Sequence, residues 1–86
     1  ILSATAFQDT CETALGSGAT GRTRFGEIVR AMQTSNDDEV LSVFKRYDKS
    51  ITFEKTKASG LFSLLVSKSV MTTNERTAIL AAWPEA

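Results

Sequence analysis

Cys11 is the only thiol in the chain and its first candidate nucleophile. Nucleophilic catalysis needs a base beside the attacking group, and the 86 residues include no histidine, the commonest general base. Phe7 and Leu15 stand four residues to either side of Cys11, which places all three on one face of a helix. We therefore expect Cys11 to be a small core residue rather than a nucleophile.

Paired carboxylates at Asp37 and Asp38 are the nearest approach to an acid–base pair. They follow Asn36, a residue that caps helices well, and negative charge is favoured at a helix N-terminus. Their position therefore predicts the start of a helix. With no other catalytic constellation in the sequence, we expect that the chain is not an enzyme.

The glycine-rich stretch GSGATGRT, residues 16–23, has the GxxxxG spacing of a phosphate-binding loop. Arg22 stands where that motif needs Lys, and the segment before Gly16 has a helical pattern where the motif needs a strand. We therefore predict a flexible loop over residues 16–21, and we expect no cofactor.

Residues 40–66 pass from an apolar helical pattern through Asp48 and Ser50 to Ile51 and a second helical pattern. This stretch resembles a degenerate EF-hand in which Asp48 and Ser50 match the first two ligand positions. Ile51 comes too early for a twelve-residue loop, and aligning it centrally puts Lys55 where the bidentate Glu belongs. The resemblance implies a helix-turn-helix hairpin, and we expect no metal site.

A basic cluster surrounds the same connection and consists of Lys45, Arg46, Lys49, Lys55 and Lys57. Nearby aromatic residues, Phe44, Tyr47 and Phe53, could stack on bases. The whole chain, however, has ten basic and ten acidic residues, whereas phosphate binding usually comes with a basic excess. A solvated face is the simpler interpretation, and a nucleic-acid-binding helical domain is the alternative function.

Trp83 lies near the C-terminus, where a large ring either fills the core of a bundle or anchors a partner. Phe7, on the apolar face of the first helical pattern, is the second residue of this kind. Phe7 and Trp83 are therefore the candidate partner-binding residues.

Composition limits the class of protein and the compartment. Hydrophobic residues make up 42% and charged residues 23%, which argues against disorder. A lone cysteine allows no intrachain disulfide and favours a reducing, intracellular compartment. The chain begins with Ile1, so we expect it to be processed or cut from a longer one.

Helical periodicity accounts for almost the whole sequence. We predict helices over about residues 3–15, 24–33, 37–47, 53–68 and 73–83. Ser3, Asn36 and Thr52 are expected caps, and Thr72 with Glu75 forms a capping box.

The positions of the glycines lead to two predictions about helix packing. Gly60, inside the fourth helix, indicates a close helix crossing or a kink. The glycine-rich loop leads us to expect that residues 1–21 are a loosely packed helix and loop beside a helical core of residues 22–86.

The sequence therefore predicts an all-α fold, a small bundle of four to five short helices with helix-turn-helix, degenerate EF-hand-like connections. Its expected core is Phe25, Ile28, Val29, Leu41, Phe44, Ile51, Phe62, Leu65, Leu80 and Trp83. The expected function is a non-catalytic protein–protein interaction domain, acting as an accessory, adaptor or assembly subunit of a larger complex.

Overall fold

Five helices and one short β-ribbon follow one another in the computed structural model, which describes residues 1–84. In chain order the elements are β1 (Leu2–Ser3), α1 (Ala4–Leu15), α2 (Ala19–Gln33), α3 (Asp38–Lys49), β2 (Thr52–Phe53), α4 (Lys55–Ser67) and α5 (Thr73–Ala82). The architecture is the small all-α bundle that the periodicity predicts.

Two predicted caps are confirmed. The Ser3 hydroxyl accepts a hydrogen bond from the amide of Ala6 at 3.2 Å and begins α1. Thr72 and Glu75 form the expected capping box, in which each side chain accepts from the other residue's amide. These side chains satisfy amides that the first turn of a helix leaves without a backbone partner.

The starts of α2 and α3 differ from the prediction. Asp37, rather than Asn36, caps α3, because its carboxylate accepts from two amides of the first turn. Helix α2 begins at Ala19, five residues before the predicted start at Arg24. The predicted loop over residues 16–21 is therefore helical in its second half.

Gly21 marks the closest approach of two helices. A Cβ atom at Gly21 would overlap the backbone carbonyl oxygens of Glu12 and Gly16, so only glycine fits where α2 crosses the end of α1. At Gly60 a close crossing or a kink was expected, and the close crossing is wrong, since nothing lies within 4 Å of a Cβ built there.

The β-ribbon was not predicted. Leu2 pairs with Phe53 and Ser3 with Thr52 in an antiparallel arrangement. Thr52 is therefore part of β2 rather than a helix cap, and Glu54 is the residue that precedes α4. Strands of two residues are too short to show the alternation by which strands are recognised.

The core is assembled from all five helices and β1. Its buried members are Leu2, Phe7, Cys11, Phe25, Ile28, Met32, Val40, Val43, Ala58, Phe62, Leu65, Met71, Ile79 and Trp83. Of the other predicted core residues, Val29, Phe44 and Leu80 are partly buried against this cluster. Leu41 is partly exposed.

Two packing predictions are corrected by the structure. Ile51 is 82% exposed, because it lies in the connection before β2 and not on the buried face of a helix. Helix α1 is not loosely packed: Cys11 is 0% exposed and Phe7 5%, and α1 packs against both α2 and α5.

Candidate functional site

A cavity of about 410 Å³ lies between α3 and α4 and reaches the centre of the bundle. On the α3 side it is lined by Val43, Arg46, Tyr47 and the C-cap residue Ser50, which follow the i, i+3, i+4, i+7 spacing of one helix face. Its α4 side is lined by Glu54, Lys57, Ala58, Leu61, Phe62 and Leu65. The remaining lining residues are Ile1, Phe7, Cys11, Phe25, Ile28, Met32, Thr52, Phe53, Met71 and Ile79.

The two helices that flank the cavity are tied together at both ends. At one end the short connection through β2 joins them. At the other end Lys68 Nζ lies 2.9 Å from Asp37 Oδ2 and 3.2 Å from Glu39 Oε1, which links the end of α4 to the start of α3. The ion pairs lower the pKa of Asp37, chiefly through the hydrogen bond from Lys68.

Charged side chains occur only on the outer part of the cavity lining. Lys57 Nζ lies 3.0 Å from Glu54 Oε2, so these two charges compensate each other. Within residues 1–84 the guanidinium of Arg46 makes no hydrogen bond or ion pair. Arg46 is thus the one charged side chain without a partner among the described residues that line the cavity.

Two further ionisable groups of the lining, Cys11 and Tyr47, are neutral at physiological pH. Burial raises the pKa of the Cys11 thiol to about 12, so the reactive thiolate does not form there. Burial also raises the pKa of Tyr47, whose phenol stays a hydrogen-bond donor. Moving an apolar group of a ligand from water into this lining makes the free energy of binding more favourable by roughly 0.8 kcal/mol for each CH₂.

The two candidate partner-binding residues, Phe7 and Trp83, lie together in the core. Their ring centroids are 5.7 Å apart in an edge-to-face arrangement, and Trp83 is 4% exposed. Phe7 also stacks on Phe53 at 4.1 Å, a contact made by the β-ribbon that holds Phe53 beside α1. Partner binding through these two rings stays a prediction that would require them to leave the core.

The predicted basic cluster is divided between two helices. Lys45, Arg46 and Lys49 lie on the second half of α3, and all three are exposed. Lys55 and Lys57 lie in the first turn of α4, where Lys57 is paired with Glu54. The structure brings Arg46 and Lys57 to the same cavity.

The phosphate-loop and EF-hand patterns have other structural explanations. The glycine-rich stretch follows a helix and enters α2 directly. The Ser50 hydroxyl donates to the carbonyl oxygen of Arg46 at 2.6 Å and so helps to end α3. Among residues 1–84, no group of three or more His, Cys, Asp or Glu side chains is arranged to hold a metal ion.

Helix α4 has apolar side chains outside its fully buried stripe. Residues 61–66 include five apolar side chains, of which only Phe62 and Leu65 are fully buried. Leu61, Leu64 and Val66 pack against the core but are partly exposed. At about 100° per residue, Leu61 and Leu64 lie on one flank of the buried stripe and Val66 on the other.

Comparison with protein families, with curated proteins and with solved structures finds no match for this chain. In the part of the chain that the structure covers, no helix is both long enough and apolar enough to cross a membrane.

Sequence reasoning missed the cavity although part of its lining had a visible signal. The spacing of Val43, Arg46, Tyr47 and Ser50 marks one face of α3. Nothing in the sequence indicates that this face borders a cavity instead of packing closely on α4. That property depends on how the two helices pack, and the residues that connect them, in the β-ribbon and in the Lys68 ion pairs, are distant in sequence.

Proposed function

We propose that this chain is a non-catalytic protein-interaction domain that serves as an accessory, adaptor or assembly subunit of a larger complex. The observation that carries the proposal is the apolar surface of α4 outside its buried stripe. A helix that is apolar around most of its circumference is usually covered on more than one side. The bundle covers the side of Ala58, Phe62 and Leu65, so we infer that a partner covers the flank of Leu61 and Leu64.

The surroundings of this flank suit an apolar protein surface. Ile51, in the connection that leads to α4, is 82% exposed. Lys57, one turn before Leu61 on the same flank, has a side chain that is 81% exposed. Apolar residues with a charged rim are typical of protein–protein interfaces. The partner is expected to bring an apolar helix or sheet face with polar residues at its edge.

The test is affinity purification of the tagged chain from its native source, with two substitutions on α4. The native chain should recover one protein in stoichiometric amount. Leu64→Asp puts a charge on the proposed interface and should abolish recovery. Ser63→Asp adds the same charge at a neighbouring exposed position and should leave recovery unchanged.

Two outcomes contradict the proposal. The first is a native chain that purifies alone at working concentrations. The second is a partner that Leu64→Asp still recovers while its thermal unfolding shows that the variant is folded.

A further inference from the structure

We propose that the cavity between α3 and α4 binds a small amphiphilic carboxylate, with its apolar body inside the bundle and its carboxylate paired with Arg46. Lys57 and Leu61 belong both to this lining and to the flank of α4 proposed for the protein partner. Leu64 does not line the cavity, so substitutions at Leu64 test the protein interface separately. The inference rests on the size of the cavity, the chemistry of its lining and the charge at its outer part.

The size of the cavity sets the size of the ligand. Its volume of about 410 Å³ falls within the roughly 300–1,000 Å³ range of small-molecule sites. A cavity of about 150 Å³ lined by apolar side chains binds benzene. By that comparison the site takes an apolar molecule on the order of 12–16 heavy atoms.

The inner lining favours an apolar body. It includes Cys11 and Ile79, which are 0% and 1% exposed, so this part of the site is inside the core. Met32 and Met71 also line it, and the flexible thioether side chain adapts readily to the shape of a ligand. The folded surface of a protein cannot enter between two helices of the bundle, whereas a chain-like or ring-bearing molecule is small enough to do so.

The outer lining favours an anionic head group. Glu54 and Lys57 compensate each other at 3.0 Å, whereas the guanidinium of Arg46 has no partner among residues 1–84. Guanidinium groups form bidentate hydrogen bonds with carboxylates. The phenol of Tyr47, which also lines the cavity, adds a second donor. A carboxylate can therefore form a charge-assisted bidentate pair here, which an alcohol or an amine cannot form.

Methionine methyl NMR gives a direct test, because the chain contains two methionines and both line the cavity. The full 86-residue chain is titrated with decanoate, decan-1-ol and decyltrimethylammonium, each below the concentration at which it forms micelles. Decanoate should shift both methyl resonances saturably. Decan-1-ol should bind about three- to tenfold more weakly, since an exposed charge pair has a modest effect. The ammonium probe should bind most weakly.

Substitutions locate the site and test the head group. Arg46→Gln should reduce decanoate affinity to that of decan-1-ol, while Lys45→Gln, one residue away and exposed, should leave it unchanged. Ala58→Leu and, separately, Leu61→Trp place extra side-chain volume in the lining and should abolish binding of all probes. Thermal unfolding identifies which of these two variants is folded, and a folded one suffices.

Two results overturn the proposal. If no probe shifts either methionine methyl resonance, the cavity is not a site for apolar ligands. If decan-1-ol binds as tightly as decanoate and Arg46→Gln has no effect, the carboxylate assignment is wrong. Leu64→Asp should still bind decanoate. Loss of partner recovery in this variant therefore tests the protein interface, whereas loss of decanoate binding in the native chain tests the cavity.

Discussion

Arg24 on α2 and Glu75 on α5 form a bidentate ion pair across 51 positions of sequence. Arg24 Nε donates to Glu75 Oε2 at 2.5 Å, and Nη2 donates to Oε1 at 2.9 Å. The same carboxylate accepts a hydrogen bond from the backbone N–H of Thr72 at 2.9 Å as part of the capping box. One side chain therefore begins α5 and also fastens it to α2.

This pair predicts how stability depends on pH. The hydrogen bonds from Arg24 lower the pKa of Glu75 below its ordinary value of 4.5, so the unfolded chain binds a proton more readily. The contribution of the pair is complete above about pH 4.5 and is lost as pH falls through the lower folded-state pKa. In Glu75→Gln, which keeps the cap, the free energy of unfolding at pH 7 should fall by roughly 1 kcal/mol, because Arg24 is one-third exposed.

Urea denaturation of both proteins between pH 7 and pH 3 checks this prediction. The difference between native chain and Glu75→Gln should shrink as the solution is acidified. A difference that stays constant over the whole range would show that the ion pair does not contribute through charge.

Gly21→Ala should be severely destabilising, because the added methyl group would overlap the carbonyl oxygens of Glu12 and Gly16. We expect a loss of at least about 3 kcal/mol, the size of a strongly overpacked core substitution. Gly26→Ala is the matched control in the same helix, where nothing lies within 4 Å of the new atom. That variant should be stabilised by roughly 0.5–1 kcal/mol. Thermal unfolding followed by circular dichroism measures both changes. Equal melting temperatures for the two variants would show that α1 and α2 do not cross at Gly21.

Cys11 should be inert in the folded protein. Burial raises its pKa to about 12, so at pH 8 almost none of the thiol is ionised, and the thiol is 0% exposed. We expect a colourimetric disulfide reagent to react at the rate of opening of the bundle, and rapidly in 6–8 M urea, on the order of the concentrations that unfold such domains. Rapid reaction under native conditions would contradict the packing of α1.

Retention on heparin separates the protein-interaction proposal from the nucleic-acid alternative, in which Lys45 and Lys49, both exposed on α3, would bind phosphates. With a net charge of zero, the chain should pass through heparin at low salt without retention. Retention that the double variant Lys45→Glu, Lys49→Glu abolishes would support nucleic-acid binding in place of a protein partner.

Local signals in the sequence predict much of this fold. The Ser3 cap and the Thr72–Glu75 capping box act over three residues, and such short-range chemistry can be recognised without the tertiary structure. The errors arise where distant segments decide the outcome. Thr52 resembles a helix cap, yet pairing with Ser3 makes it part of a strand.

The candidate site depends still more on tertiary structure. Gly60 resembles a crossing point, but Gly21 is the glycine that another backbone approaches. Similarly, the predicted partner contacts Phe7 and Trp83 are large aromatic residues that the bundle itself buries. A single sequence shows which side chains are apolar, whereas the packing of the helices decides which of them line a cavity.

Site-specific photocrosslinking in the native source tests the central claim most directly, since it reports contacts at a single residue. A photoreactive amino acid at position 64 should crosslink the chain to one protein, and the same amino acid at Asp9, on the exposed face of α1, should not. Absence of a crosslink from position 64, or crosslinks from both positions to many proteins, would contradict the claim that α4 docks a specific partner.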